Sequence, residues 1–153
     1  MIDFGSEAFI QLLLLGIFFI LMVLFVLTQQ GTLEFIRPEN RLMPPKQVWF
    51  QLIPVLGLIW SFVVINKIAN SILSELATTA GDSVFADDPF MESSKPTYKL
   101  GISYATCFCL SLLPIPFFKL IIIVLGIILW FAYWYKLIQY KLKIAERAML
   151  AQK

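Results

Sequence analysis

The chain has 153 residues, 59% of them apolar and only 14% charged, with a formal net charge of +2. Soluble domains carry about 25% charged residues, and a globule of this length cannot bury so many Leu, Ile and Phe side chains, so the composition excludes an ordinary water-soluble fold. The scattered basic residues give nucleic acid no electrostatic footing. The absence of histidine removes the usual haem ligand, the commonest imidazole metal ligand and the standard base near neutral pH.

The first apolar run covers residues 8–27, interrupted only by Gln11 and Gly16. About 20 residues at 1.5 Å each match a hydrocarbon core of about 30 Å. It reads as a retained span and not as a signal peptide, because its leader holds Asp3 and Glu7 without Lys or Arg, and Leu27-Thr28-Gln29-Gln30 lacks a small-residue cleavage site. Residues 28–47 read as a polar connection, kept extended or turned by Pro38, Pro44 and Pro45.

The second run, 48–65, opens on Trp49, an expected interfacial anchor. Pro54 inside it either kinks the helix or marks a late helix start. Beyond it, Ile65, Ile68, Ala69, Ile72, Leu73 and Leu76 recur at spacings of three and four, opposite Asn66, Lys67, Asn70, Ser74 and Glu75. That pattern predicts an amphipathic helical extension, stopped at Gly81. Residues 81–96 form an acidic loop whose Asp87, Asp88 and Glu92 offer oxygens to a hard cation. No ordered ligand spacing is present, and a solvated loop explains them.

The third run, 98–113, is short for a crossing, although Lys99 can reach the interface on its flexible stem. Pro114-Ile115-Pro116 breaks it from the fourth run, 117–135. The pair predicts a helical hairpin; the competing reading is a re-entrant hairpin that leaves by the side it entered, which requires protein to shield its broken backbone. Trp130, Trp134 and Tyr135 are the expected interfacial anchors of the fourth span. Its continuation, residues 136–151, is a basic amphipathic tail that either lies on an anionic leaflet or packs beside the extension of span two.

The expected fold is therefore all-α: one polytopic domain of four transmembrane helices with amphipathic extensions after spans two and four. Four spans give both termini one side, with Lys95, Lys99, Lys136, Lys141, Lys143, Arg147 and Lys153 against Arg37, Arg41, Lys46 and Lys119 opposite. The positive-inside rule then favours both termini in the cytoplasm. The first helix argues the other way, since its leader has no basic residue and the following loop has three.

Ionisable groups inside lipid are costly and often line transport paths, which singles out Gln11, Asn66, Lys67, Asn70 and Glu75 as a possible intramembrane or interfacial polar site. Residues 48–65 nearly span the core, however, so Lys67 falls at or beyond the interface, where a solvated helix accounts for it. Gln51, Ser103, Thr106 and Ser111 read as contacts between helices, and Gly16, Gly57 and Gly126 as points of close approach. A Ser–His dyad is impossible, paired intramembrane aspartates are missing, and Cys107-Phe108-Cys109 lacks the spacing of a redox pair. The expectation is a non-enzyme without cofactor or metal.

One segment is distinctive: Asn40-Arg41, then Pro44-Pro45, Trp49, Ile53-Pro54 and Trp60, leading to Ile68-Ala69-Asn70-Ser71-Ile72. It resembles a motif in small, uncharacterised multi-pass bacterial membrane proteins. The resemblance covers about a third of the chain and implies a helical bundle in the bacterial cytoplasmic (inner) membrane, with no activity attached. Together these observations lead us to expect an accessory or structural subunit that contacts membrane lipid and other membrane-protein subunits of a larger complex. The alternative is a small homo-oligomeric channel or transporter in which Lys67, Asn70 or Gln11 faces water. A weaker third is a lipid-surface organiser acting through the basic tail.

Overall fold

A backbone in hydrocarbon must satisfy its hydrogen bonds within its own segment, and the described residues are accordingly helical, with no strand among them. The computed structural model describes residues 4–78, 95–114 and 118–150. Four α-helices follow in order: α1 (Phe4–Phe35), α2 (Leu56–Thr78), α3 (Tyr98–Leu110) and α4 (Lys119–Leu150), with 3-10 segments at Pro38–Asn40 and Pro45–Leu52. Three of them, α1, α2 and α4, are long and apolar enough to cross a membrane. With 13 residues, α3 is about 20 Å long.

The contacts give the helix directions. Phe25 of α1 packs on Trp130 at 5.2 Å, Trp134 Nε1 donates to Thr28 Oγ1 at 3.0 Å, and Lys141 lies over the Phe35 ring. Residue numbers thus rise together, and α1 and α4 are parallel. The same holds for α2: Ile65 and Tyr133 both press on Gly101, while Glu75 reaches Arg37 and lies beside Ile144 and Arg147. Only α3 runs the opposite way, from Gly101 at that level to Phe108 against Gly126. A Cβ at Gly101 would collide with Ile65, so α3 sits closer to α2 and α4 than any other residue would allow.

Two expectations change. The first helix does not end near Leu27 but continues to Phe35. Phe25, Val26, Gln29, Thr32, Leu33 and Ile36 recur at spacings of three and four and are all buried. The stretch that looks polar in sequence therefore packs one face inward. Thr28 and Thr32 return their hydroxyl protons to the Leu24 and Thr28 carbonyls, which keeps both inside the helix.

Residues 48–65 are likewise not one helix. Consecutive parallel helices require the chain to climb back between them, and Pro45–Leu52 does so as an eight-residue 3-10 segment, a rise of about 16 Å. It is pinned to α1 by Trp49 Nε1 donating to Gln30 Oε1 at 2.6 Å and by Gln51 Nε2 donating to Gln29 Oε1, and to α2 by Trp60 Nε1 donating to the Gln47 carbonyl at 2.9 Å. The chain reverses at 53–55 and α2 starts at Leu56. Pro54 marks a late helix start: it has no N–H to give, and Val55 after it is forced to φ 64°.

The amphipathic extension 66–76 is the unbroken second half of α2, and the basic tail is the straight continuation of α4. Leu137, Tyr140 and Ile144 are buried, and Ile144 and Leu76 line one small pocket, so one face of the tail packs against α2. Gly81, most of the acidic loop, and Ile115 and Pro116 of the corner lie outside the described residues. Burial is uneven along the bundle. Leu33, Ile36, Ile68, Ile72, Leu137 and Ile144 are buried at one end, whereas the large apolar side chains of α1 from Phe9 to Ile20 and of α4 at Phe118, Leu120 and Ile121 are exposed at the other.

A β-branched residue in the left-handed region costs on the order of 1–2 kcal/mol, and Val55 is 71% exposed. Val55→Gly is expected to stabilise the protein by about 1 kcal/mol, seen as a higher melting temperature in detergent. A lower one would mean that the valine side chain holds the turn.

Candidate functional site

Polar groups collect at three levels of the bundle. At the fully packed end, Glu75 is 8% exposed and accepts from Arg37 N at 3.3 Å, Arg37 Nε at 3.0 Å and Asn40 Nδ2 at 2.7 Å. Ser71 of the same helix accepts from Leu42 N at 2.9 Å. The turn after α1 is thereby bolted to the far half of α2. Charge-assisted bonds to a buried carboxylate are stronger than neutral ones, although the Arg37 side chain is partly open to solvent, which weakens its share.

One level higher, Asn70 Nδ2 donates to Asn66 Oδ1 at 3.2 Å, and Lys95 reaches the same oxygen at 3.4 Å. Lys67 is half-buried on this turn. Of the five residues expected to form a polar site, Asn66 and Asn70 are joined, Lys67 lies next to them in sequence, and Glu75 belongs to the clamp with Arg37. Gln11 is exposed on the free half of α1, about 25 Å along the bundle from the Asn66 level. The aromatic anchors divide too. Tyr135 is exposed, and Trp49 and Trp134 are half-buried with their indole N–H groups bonded to Gln30 and Thr28. Trp130, expected at the interface, is 2% exposed in the aromatic core.

The third level is internal and was not anticipated. Gln29 and Gln51 are buried and linked, and the Tyr133 hydroxyl lies beside Gln29 and Thr97. The Tyr104 hydroxyl lies beside Ser61, whose own proton goes to the Gly57 carbonyl at 2.7 Å. Gln29 Nε2, Thr97 Oγ1, Tyr104 Oη and Tyr133 Oη are all buried outside hydrogen-bond geometry. Orphaned buried polar atoms are rare and mark strain, function or a missing partner. Sequence gave a faint signal for Tyr104, a phenol inside an apolar run, and none for Gln29, which sits in what reads as a connection.

Above this level opens a cavity of about 730 Å³, walled by α1 from Leu12 to Phe25, the chain reversal at 53–55, the start of α2, Tyr104 and Phe108 of α3, and Trp130. Its surface is overwhelmingly apolar, and Gln51, Ser61 and Tyr104 are among the residues that line it.

Family models, curated proteins and solved structures give no match to this chain. The cavity, the buried polar level and the clamp therefore stand on their own chemistry. Among the described residues, no three acidic, cysteine or histidine side chains converge as metal ligands. Ser103 and Ser111 bond back to the Lys99 and Phe108 carbonyls of their own segment, so of the polar residues expected between helices it is Gln51 that makes the cross-segment bond.

Glu75→Gln keeps the shape of the clamp and removes its charge. It is expected to cost about 1–3 kcal/mol, read as a lower melting temperature. Adding Arg37→Ala to it should cost less than Arg37→Ala alone, because the two share one interaction; full additivity would dissolve the clamp.

Proposed function

We propose that this chain is a non-enzymatic membrane subunit whose chain reversal at 53–55 is covered by another membrane-protein chain. The observation that carries it is the backbone there. Val55 N–H and Leu52 C=O make no hydrogen bond among the described residues, and Ile53, Pro54, Val55 and Leu56 are exposed. Irregular backbone at hydrocarbon depth is tolerated only where protein or a water-filled cavity covers it.

The depth follows from the surface. Trp49, Trp134, Tyr135, Lys136 and Asn66 lie near one level and suit one membrane interface, while Lys119 and Glu7 lie toward the other. The reversal stands about 15 Å from the first interface, near mid-bilayer. On this placement α1, α3 and α4 cross the membrane, and Pro45–Leu52 with the start of α2 enters and leaves by one side. Re-entry thus falls on the second apolar run and not on the third and fourth.

Arg37, Arg41, Lys46, Lys67, Lys95, Lys99, Lys136, Lys141, Lys143 and Arg147 then share one side, with Lys119 on the other. The positive-inside rule favours that basic side in the cytoplasm, which puts the C-terminal tail inside and the N-terminus outside. This replaces the expectation of two cytoplasmic termini, and the first helix ceases to dissent. The sequence resemblance supports a bacterial cytoplasmic membrane as the setting.

Two measurements test this. In a background with Cys107→Ala and Cys109→Ala, Glu7→Cys should react with an impermeant maleimide on intact cells, and Met149→Cys only after lysis; labelling of Met149→Cys on intact cells would overturn the orientation. A photo-crosslinking residue at position 55 should give a protein adduct in native membranes, and the chain should migrate above its monomer mass on blue-native gels. A free monomer without adduct would refute the subunit role.

A further inference from the structure

We infer that the interface level of the bundle selects anionic phospholipid, with Lys67, Lys95, Lys99 and Lys136 gathering acidic headgroups around the start of α3. The inference rests on the membrane placement given above and does not require the partner chain.

Three helices bring lysines to one plane. Ile65 of α2 and Tyr133 of α4 both press on Gly101 of α3, which fixes a common level. At 1.5 Å per residue, Lys67 and Lys99 stand about 3 Å beyond it toward the basic side, and Lys136 about 4.5 Å. Lys95 joins them through Asn66, whose Oδ1 its ammonium reaches at 3.4 Å. The same plane holds Trp134 and Tyr135, residues suited to a membrane interface.

The carboxylates lie elsewhere. Among the described residues, the acidic side chains toward this end of the bundle are Glu34, Glu39, Glu75 and Glu146. All of them stand about 10 Å or more beyond the Gly101 level. Positive charge is therefore concentrated at the headgroup plane and diluted farther along the bundle.

The surface below Lys99 shows which kind of anion the plane meets. Lys99, Ser103, Thr106 and Leu110 recur at spacings of three and four and are exposed, while Gly101, Tyr104 and Ala105 face the core. On the placement given above, that exposed stripe lies against acyl chains, so the lysine at its end meets the headgroups those chains carry. Lys95 is exposed as well and lies over the Tyr98 ring at 5.1 Å. Lys67 and Lys136 are half-buried; such side chains keep their stems on apolar surface and their ammonium groups at its edge. A phosphatidylcholine headgroup brings its own cation to the plane. Phosphatidylglycerol brings a net negative charge, which each lysine near a membrane surface favours about fivefold.

The test reconstitutes the full chain in phosphatidylcholine and adds spin-labelled phosphatidylglycerol or spin-labelled phosphatidylcholine, reading the motionally restricted fraction of each. Phosphatidylglycerol is expected to be preferred at least about threefold at low salt, with the preference falling as salt rises. Lys67→Gln/Lys99→Gln should remove most of that preference. Lys141→Gln/Lys143→Gln removes the same charge about 12–15 Å beyond the Gly101 level and should leave the preference in place. Lys99→Gln alone, at an exposed position, should lower it and decides the matter if the double variant does not fold. Equal restriction of the two lipids, a preference that survives in the folded Lys67→Gln/Lys99→Gln and Lys99→Gln proteins, or equal loss in both double variants would overturn the proposal. So would a preference that emerges only once Asp82, Asp87, Asp88 and Glu92 are neutralised, since these carboxylates would then be what the lysines serve. Phosphatidylglycerol selectivity without a position-55 adduct would refute the subunit role and leave this site standing; equal restriction beside the expected cysteine labelling would do the reverse.

Discussion

The buried carboxylate of Glu75 sets the plan of the molecule. By accepting from Arg37 and Asn40 it ties the end of α1 to the far half of α2, so two helices consecutive in sequence must run in the same direction. Parallel neighbours need a return path, and the eight residues from Pro45 to Leu52 provide one that climbs only part of the bundle. From that shortfall follow the reversal at 53–55, the late start of α2 and the space left above it between α1 and α3. A carboxylate buried without those donors would be costly, and the geometry is accordingly well supplied.

The packing gradient has a solvent explanation. Lipid tails are as apolar as leucine, so hydrocarbon gives helices no hydrophobic reason to associate. On the proposed placement, the exposed flanks of α1 and α4 lie in lipid and stay open, and only rings and close contacts such as Gly101 on Ile65 hold that half together. The half beyond the interface faces water, where burying Leu33, Ile68, Ile72, Leu137 and Ile144 does stabilise. On that placement, the molecule is packed most tightly where its surroundings are polar.

Between these halves lies a layer of buried glutamine, tyrosine and threonine side chains that neither solvent rule accounts for. Gln29 and Gln51 anchor the climbing segment to α1, which gives part of the layer a structural role. The Tyr104 hydroxyl lies beside Ser61 of α2, which places α3 within the same layer.

Much was legible from the residues in order. Apolar runs near 20 residues long announced helices suited to a membrane, Pro114 marked the end of α3's segment, and the three-and-four spacing of Ile65 to Leu76 gave the second half of α2. These are local properties of composition and period, and they need no partner to be visible. Helix direction was not legible, because hydropathy reports that a segment is apolar and says nothing about whether the chain climbed back before entering it. Gln29 and Thr32 looked like a connection because burial by a neighbouring segment leaves no mark on a single residue's polarity. Only the tertiary contacts of Glu75, Gln51 and Trp60 determined that the second apolar run folds back halfway, since those bonds join positions 13 to 38 residues apart.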